Sequence, residues 1–136
     1  MTHKVFSPQS RLRWLLYLMA LHSVAVGVGL IVQIKPLMSF MGFSNIAQPF
    51  FPAQGGIFHV IMAGAYLLAG RNQQKYKCLI PFSIFVKTCA TVFLFTYFLA
   101  FQSIPLILLS GVGDGLMAFL LFLFYRAAKK DSVITG

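Results

Sequence analysis

The stretch IPLILLSGVGDGLMAFLLFLFY, residues 104–125, decides the fold of this chain. Asp114 is the only residue in it that carries a charge. A helix needs about 20 predominantly apolar residues to cross the roughly 30 Å of hydrocarbon in a bilayer. The stretch therefore predicts a membrane-spanning helix with one carboxylate near its middle.

Three more stretches of this kind lie at residues 14–33, 50–70 and 79–101. Of the 136 residues, 59% are apolar and 10% are charged, and the mean hydropathy is +0.84. A soluble domain has about 25% charged residues, and a soluble chain of this size could not cover so much apolar surface. We therefore predict a single-domain, all-α, polytopic membrane protein, a bundle of four transmembrane helices over residues 1–136.

The basic residues outside these spans are concentrated on one side of the predicted bundle. Nine of the eleven Lys and Arg residues lie there: Lys4, Arg11, Arg13, Arg71, Lys75, Lys77, Arg126, Lys129 and Lys130. Basic residues favour the cytoplasmic side, so both termini are predicted to be cytoplasmic, in the plasma membrane or a bacterial inner membrane. The same excess attracts anionic headgroups, so the expected partner is the lipid bilayer rather than nucleic acid.

Each predicted span carries one ionisable side chain near its middle. Counting ~1.5 Å per residue from the inner boundary places His22 and Lys87 ~12 Å deep, and His59 and Asp114 ~15 Å deep. A charge at this depth costs roughly 2.5–3.5 kcal/mol, so these side chains are expected to face the interior of the bundle. Lys87 and Asp114, the only lysine and the only carboxylate at depth, are predicted to pair.

Other polar residues extend this layer. Ser83 and Thr91 lie one turn before and one turn after Lys87, and Gly111 and Gly115 form a GxxxG spacing that allows close helix approach. The candidate central polar or ligand-binding cluster is His22, Gln54, His59, Tyr66, Ser83, Lys87, Thr91, Ser110 and Asp114.

Two roles fit this layer. A Lys–Asp pair can lock two helices in register, whereas ionisable residues inside a membrane commonly form a functional site. We expect a non-catalytic protein that binds a lipophilic or weakly polar ligand, or an accessory subunit of a homo-oligomer or larger membrane complex. The alternative is a membrane enzyme, an isomerase or oxidoreductase that uses Asp114 and a histidine for acid–base chemistry on a lipid-like substrate.

Cofactors are not expected. The sequence has no Cys/His cluster with metal-ligand spacing. A minor alternative is a b-type haem with His22 and His59 as its two axial ligands, because these histidines lie at similar depth on different spans.

The connection between the first two spans is longer than spanning requires. Within it, residues 36–43 are apolar enough to lie in the membrane interface or to cap the bundle. The connection leads through Phe51-Pro-Ala-Gln-Gly-Gly56 into the second span.

The chain resembles the DoxX-like group of small four-helix membrane proteins. The shared features are this long segment between the first two spans, the four spans and the predicted cytoplasmic termini. The resemblance implies a compact bundle with a central pocket, often acting as a partner in larger membrane assemblies. It implies no catalytic residue.

Overall fold

The computed structural model describes residues 7–40, 42–43 and 47–134, and this part of the chain contains helices and no strand. The helices are α1 (Pro8–Val32), α2 (Lys35–Phe40), α3 (Phe50–Arg71), α4 (Leu79–Ala100) and α5 (Pro105–Ile134). All except α2 are long and apolar enough to cross a membrane. The predicted all-α fold with four spanning helices is confirmed.

The first and last long helices extend beyond the predicted spans. α1 begins at Pro8 rather than at residue 14, because the Ser7 hydroxyl accepts a hydrogen bond from the Ser10 amide at 3.2 Å and caps the helix. α5 continues past residue 125 to Ile134. Hydropathy marks only the apolar part of a helix; these turns are more polar, although Leu12 and Ala128 in them still belong to the apolar core.

The four long helices form a ring in the order α1, α3, α4 and α5. The most extensive contacts join α1 to α3 and α4 to α5, and each of these pairs is antiparallel. Smaller contacts between α1 and α5 and between α3 and α4 close the ring. The bundle therefore consists of two helical hairpins packed side by side.

Glycines bring α1 and α3 into backbone contact. A Cβ atom built on Gly27 would lie 2.8 Å from the carbonyl oxygen of Gly56, and one built on Gly56 would lie 2.6 Å from that of Gly27. Nearer the basic end, a Cβ atom on Gly70 would lie 2.6 Å from the ring of Tyr17. Only residues without a side chain allow the two helices to approach this closely.

The predicted GxxxG contact joins α4 and α5. A Cβ atom on Gly111 would lie 3.3 Å from Leu94, and one on Gly115 would lie 3.2 Å from Thr91. Both glycines therefore face α4, which confirms the close helix approach that their spacing predicted.

The apolar core fills the half of the bundle nearer the basic residues. It consists of Leu12, Leu16, Met19, Ala20, Ala63, Tyr66, Ala69, Ile80, Leu121 and Ala128. The buried polar side chains Ser23, Ser83, Lys87 and Asp114 come next along their helices, on the outer side of this core. The core thus separates the polar layer from the basic end of the molecule.

The outer connection packs against the bundle. Met38 of α2 is buried, and Gly42, in the left-handed region at φ 92°, lies against Ile104 at the start of α5. The side-chain amide of Gln33 donates to the carbonyl oxygen of Pro49 at 2.7 Å and ties together the two ends of the connection. The segment 36–43, of which residue 41 lies outside the described residues, therefore covers part of the outer end of the bundle.

The basic residues of three segments meet at one end of the bundle. Side chains from the start of α1, from the α3–α4 connection and from the last turns of α5 line one cavity there. Lys4, which also contributed to the topology prediction, lies outside the described residues.

We predict that this basic end is cytoplasmic, because Lys and Arg are retained on that side during insertion. A reporter enzyme or protease site fused after Gly136 should report the cytoplasm, and one inserted after Gln48 should report the opposite side. A reporter after Gly136 that is active only outside the cytoplasm would contradict the predicted topology.

Candidate functional site: the polar layer

An ion pair between α4 and α5 forms the centre of the polar layer. The Lys87 Nζ atom donates a hydrogen bond to the Asp114 Oδ1 atom at 2.5 Å. The two side chains are only 4% and 11% exposed. The pair predicted from depth and from the lack of any other opposite charge in the spans is confirmed. Each charge cancels the other, which is the condition under which two such groups can be buried.

The glycines around Asp114 explain how the pair forms. Gly111 and Gly115 flank Asp114 at the α4 contact, so the backbone of α5 lies close to α4. The side chain of Thr91 packs directly on Gly115. This short helix separation allows the aspartate, which has a short side chain, to reach the longer lysine.

The two hydroxyl residues flanking Lys87 bond to their own helix. Ser83 donates to the carbonyl oxygen of Leu79 at 2.6 Å, and Thr91 donates to that of Lys87 at 2.8 Å. Hydroxyls in membrane helices often bond in this way. Both residues lie on the same face of α4 as Lys87, as predicted, but their hydroxyl groups do not donate hydrogen bonds to the ion pair.

The two histidines lie on α1 and α3 at the level of the ion pair. Both imidazoles interact electrostatically with Lys87 and Asp114, and His59 also interacts with His22. His59 shares a helix face with the buried Ala63 but is itself only half-buried, and His22 is exposed. Neither imidazole makes a hydrogen bond within the described part of the chain.

Ser23 is a buried polar residue that the sequence-based prediction missed. Its side chain is 1% exposed, and its Oγ atom has no hydrogen-bond partner among the described residues. It lies one turn before Gly27, next to which the Cβ atom of His59 packs. Its position beside His22, on the face that carries Met19 and Gly27, was the available signal in the sequence.

The remaining predicted residues divide into two groups. Tyr66 is buried in the apolar core and lies within electrostatic range of Asp114. Gln54 of α3 and Ser110 of α5 are exposed. The structure therefore brings His22, His59, Ser83, Lys87, Thr91 and Asp114 to the polar layer and places Tyr66 in the adjacent apolar core. Gln54 and Ser110 remain at the surface of their helices.

The geometry limits how a metal or haem could be held. Within the described residues, no group of three or more His, Cys, Asp and Glu side chains could hold a metal ion. α1 and α3 are in backbone contact at Gly27 and Gly56, directly beside His59, which disfavours a porphyrin between these helices. Haem stays a minor hypothesis that an absorption spectrum would test.

The central pocket that the DoxX-like resemblance implied also stays a prediction. A cavity of about 520 Å³ lies at the basic end, and none of the nine predicted site residues lines it. Comparisons of the chain with known protein families, with curated proteins and with solved structures found no match.

Proposed function

We propose that the protein binds a lipophilic molecule with a neutral hydrogen-bonding group, such as a carbonyl or hydroxyl, which reaches the polar layer from the hydrocarbon. One observation carries this proposal. The Ser23 hydroxyl and the His59 imidazole lie at the middle of the spans, and neither has a hydrogen-bond partner within the described chain.

Unpartnered groups of this kind are costly in a bilayer. The hydrocarbon supplies no water to bond them, and a buried unsatisfied donor or acceptor costs roughly 1–3 kcal/mol. A ligand that bonds to Ser23 and His59 would remove this cost. Since Lys87 and Asp114 already neutralise each other at 2.5 Å, the site favours a neutral polar group over an ion.

The packing of the helices supports a lateral route to the site. The contact between α3 and α4 is the least extensive in the ring. Lys87 of α4 is buried, and His59 of α3 is half-buried and interacts electrostatically with it. A lipophilic molecule that enters between α3 and α4 would place its polar end beside both residues.

A second candidate function rests on His22. An exposed imidazole at mid-bilayer depth also suits an interface with a partner subunit, whose polar groups would cover it. The enzyme alternative has less support, because neither His22 nor His59 makes a hydrogen bond to Asp114 within the described residues.

The proposal predicts a co-purified ligand that depends on Ser23 and His59. Organic extraction and mass spectrometry of the purified chain should yield a lipophilic compound. Its amount should fall about tenfold in His59→Phe and in Ser23→Ala, the effect of losing one hydrogen bond of ~1.4 kcal/mol. The matched controls are Phe58→Leu on α3 and Val24→Ala on α1, since each residue is the exposed sequence neighbour of a site residue.

Four outcomes would contradict ligand binding. An extract that contains only bulk membrane lipid, or one that is unchanged in both site variants, would remove its support. A stoichiometric second protein that is lost in His22→Phe would favour the accessory-subunit function instead. A Soret band that His22→Ala or His59→Ala abolishes would favour haem.

A further inference from the structure

The cavity at the basic end is separate from the polar layer and lies across the apolar core from it. Its volume is about 520 Å³, which is within the usual range of ligand sites, ~300–1,000 Å³. Its lining includes four cationic residues, Arg13, Arg71, Lys77 and Lys129, and no acidic residue. We infer that this cavity binds the phosphate group of an anionic ligand at the membrane surface.

The walls of the cavity come from three separate segments of the fold. Arg13 belongs to α1 and Lys129 to α5, while Arg71 ends α3 and Lys77 lies in the α3–α4 connection. The connection is tied to α1 by the side-chain amide of Gln73, which donates to the backbone carbonyl of Gln9 at 2.9 Å. Tertiary structure therefore holds together charges that are far apart in the sequence.

The lining has the chemistry of a phosphate site. Arginine presents paired N–H donors that match phosphate oxygens, and lysine adds a mobile positive charge. The amide side chains of Gln9, Asn72 and Gln74 supply further donors at the rim. Leu12 and Ile80, each 1% exposed, add an apolar part to the lining.

The position of the cavity fits a ligand from the membrane surface. Tyr125 lines it, and tyrosine is enriched at the level of the lipid headgroups. Basic pockets between transmembrane helices are known to hold phospholipid headgroups. The phosphate could belong to such a headgroup or to a soluble phosphate compound, and the binding experiment has to distinguish the two.

Two basic residues close to the cavity do not line it and provide a matched control. The Lys75 ammonium lies 5.3 Å from the ring centre of Tyr76, and the Arg126 guanidinium lies 5.5 Å from that of Phe122. The variants Arg71→Gln/Lys77→Gln and Lys75→Gln/Arg126→Gln lower the formal net charge of +9 by the same amount. Only the first pair changes the cavity.

The experiment measures binding to the full-length purified protein in neutral detergent. Native mass spectrometry compares the binding of phosphatidylglycerol with that of phosphatidylcholine. Calorimetry measures the binding of inorganic phosphate in the absence of lipid. We expect the cavity variant to bind phosphatidylglycerol or phosphate about tenfold more weakly than wild type, and the control variant to stay within about twofold. Arg13→Gln/Lys129→Gln is the second cavity variant if the first does not fold.

Each result has a defined meaning. Selective binding of phosphatidylglycerol alone identifies a lipid headgroup, and binding of inorganic phosphate without lipid identifies a soluble source. Equal losses in the cavity and control variants would show general charge attraction and overturn the site. Absence of binding to both probes would also overturn it. These outcomes are independent of the proposed ligand at Ser23 and His59.

Discussion

Asp114→Asn and Lys87→Met each destabilise the protein by roughly 3–5 kcal/mol, because each substitution leaves one buried charge without its counterion. In wild type, the Nζ and Oδ1 atoms are 2.5 Å apart, and both side chains are almost inaccessible. We expect the double variant to recover most of this loss, since no uncompensated charge remains. The measurement is the unfolding midpoint of the three variants and wild type in the same detergent.

A double-mutant cycle distinguishes this pairing from two independent effects. Thr88→Val is the control, because Thr88 is exposed on α4 and its hydroxyl donates to the carbonyl oxygen of Ile84 at 2.8 Å. It should shift the midpoint little. Additive losses from Asp114→Asn and Lys87→Met would contradict the pairing. A double variant that is stable but no longer retains the co-purified ligand would show that the pair also serves the site.

Depth along each span, together with charge, was sufficient to predict the ion pair. An apolar helix rises by a fixed ~1.5 Å per residue, so residues counted from one membrane boundary can be compared between helices. Lys87 and Asp114 are also the only full charges in their spans, which left one possible partner for each. Because the rise per residue is fixed, the length of each apolar stretch was also enough to predict the four spanning helices.

Burial around the layer could not be predicted in the same way. Ser110 was chosen for its spacing from Asp114, and Gln54 was included in the cluster, but both are exposed. Ser23, which is 1% exposed, was missed. Which face of a helix is covered depends on the positions of its neighbours. That arrangement follows from contacts such as the one between Gly27 and Gly56, which involve residues distant in sequence.

The basic cavity was unpredictable for a related reason. In the sequence, Arg13, Arg71 and Lys77 contribute to a charge bias that indicates only orientation in the membrane. The structure brings them to one cavity because α1 and α3 run antiparallel and the α3–α4 connection folds back onto α1. A charge count contains no information on whether the charges converge.

Gly27→Ala and Gly56→Ala are each expected to destabilise the protein by ~1–3 kcal/mol, the usual cost of adding atoms to a tightly packed contact. Each new methyl group would lie 2.8 Å or less from a backbone carbonyl oxygen of the facing helix. Because backbone cannot move aside as a flexible side chain can, α1 and α3 would have to separate. The measurement is again the unfolding midpoint in detergent.

Gly29→Ala and Gly64→Ala are the matched controls on the same two helices. A Cβ atom on either residue has no neighbour within 4 Å, so the substitution should be neutral or stabilise by up to ~1 kcal/mol through helix propensity. Equal effects at all four positions would contradict the close contact between α1 and α3. His59 packs beside Gly27, so separation of the helices should also reduce the co-purified ligand in Gly27→Ala but not in Gly29→Ala.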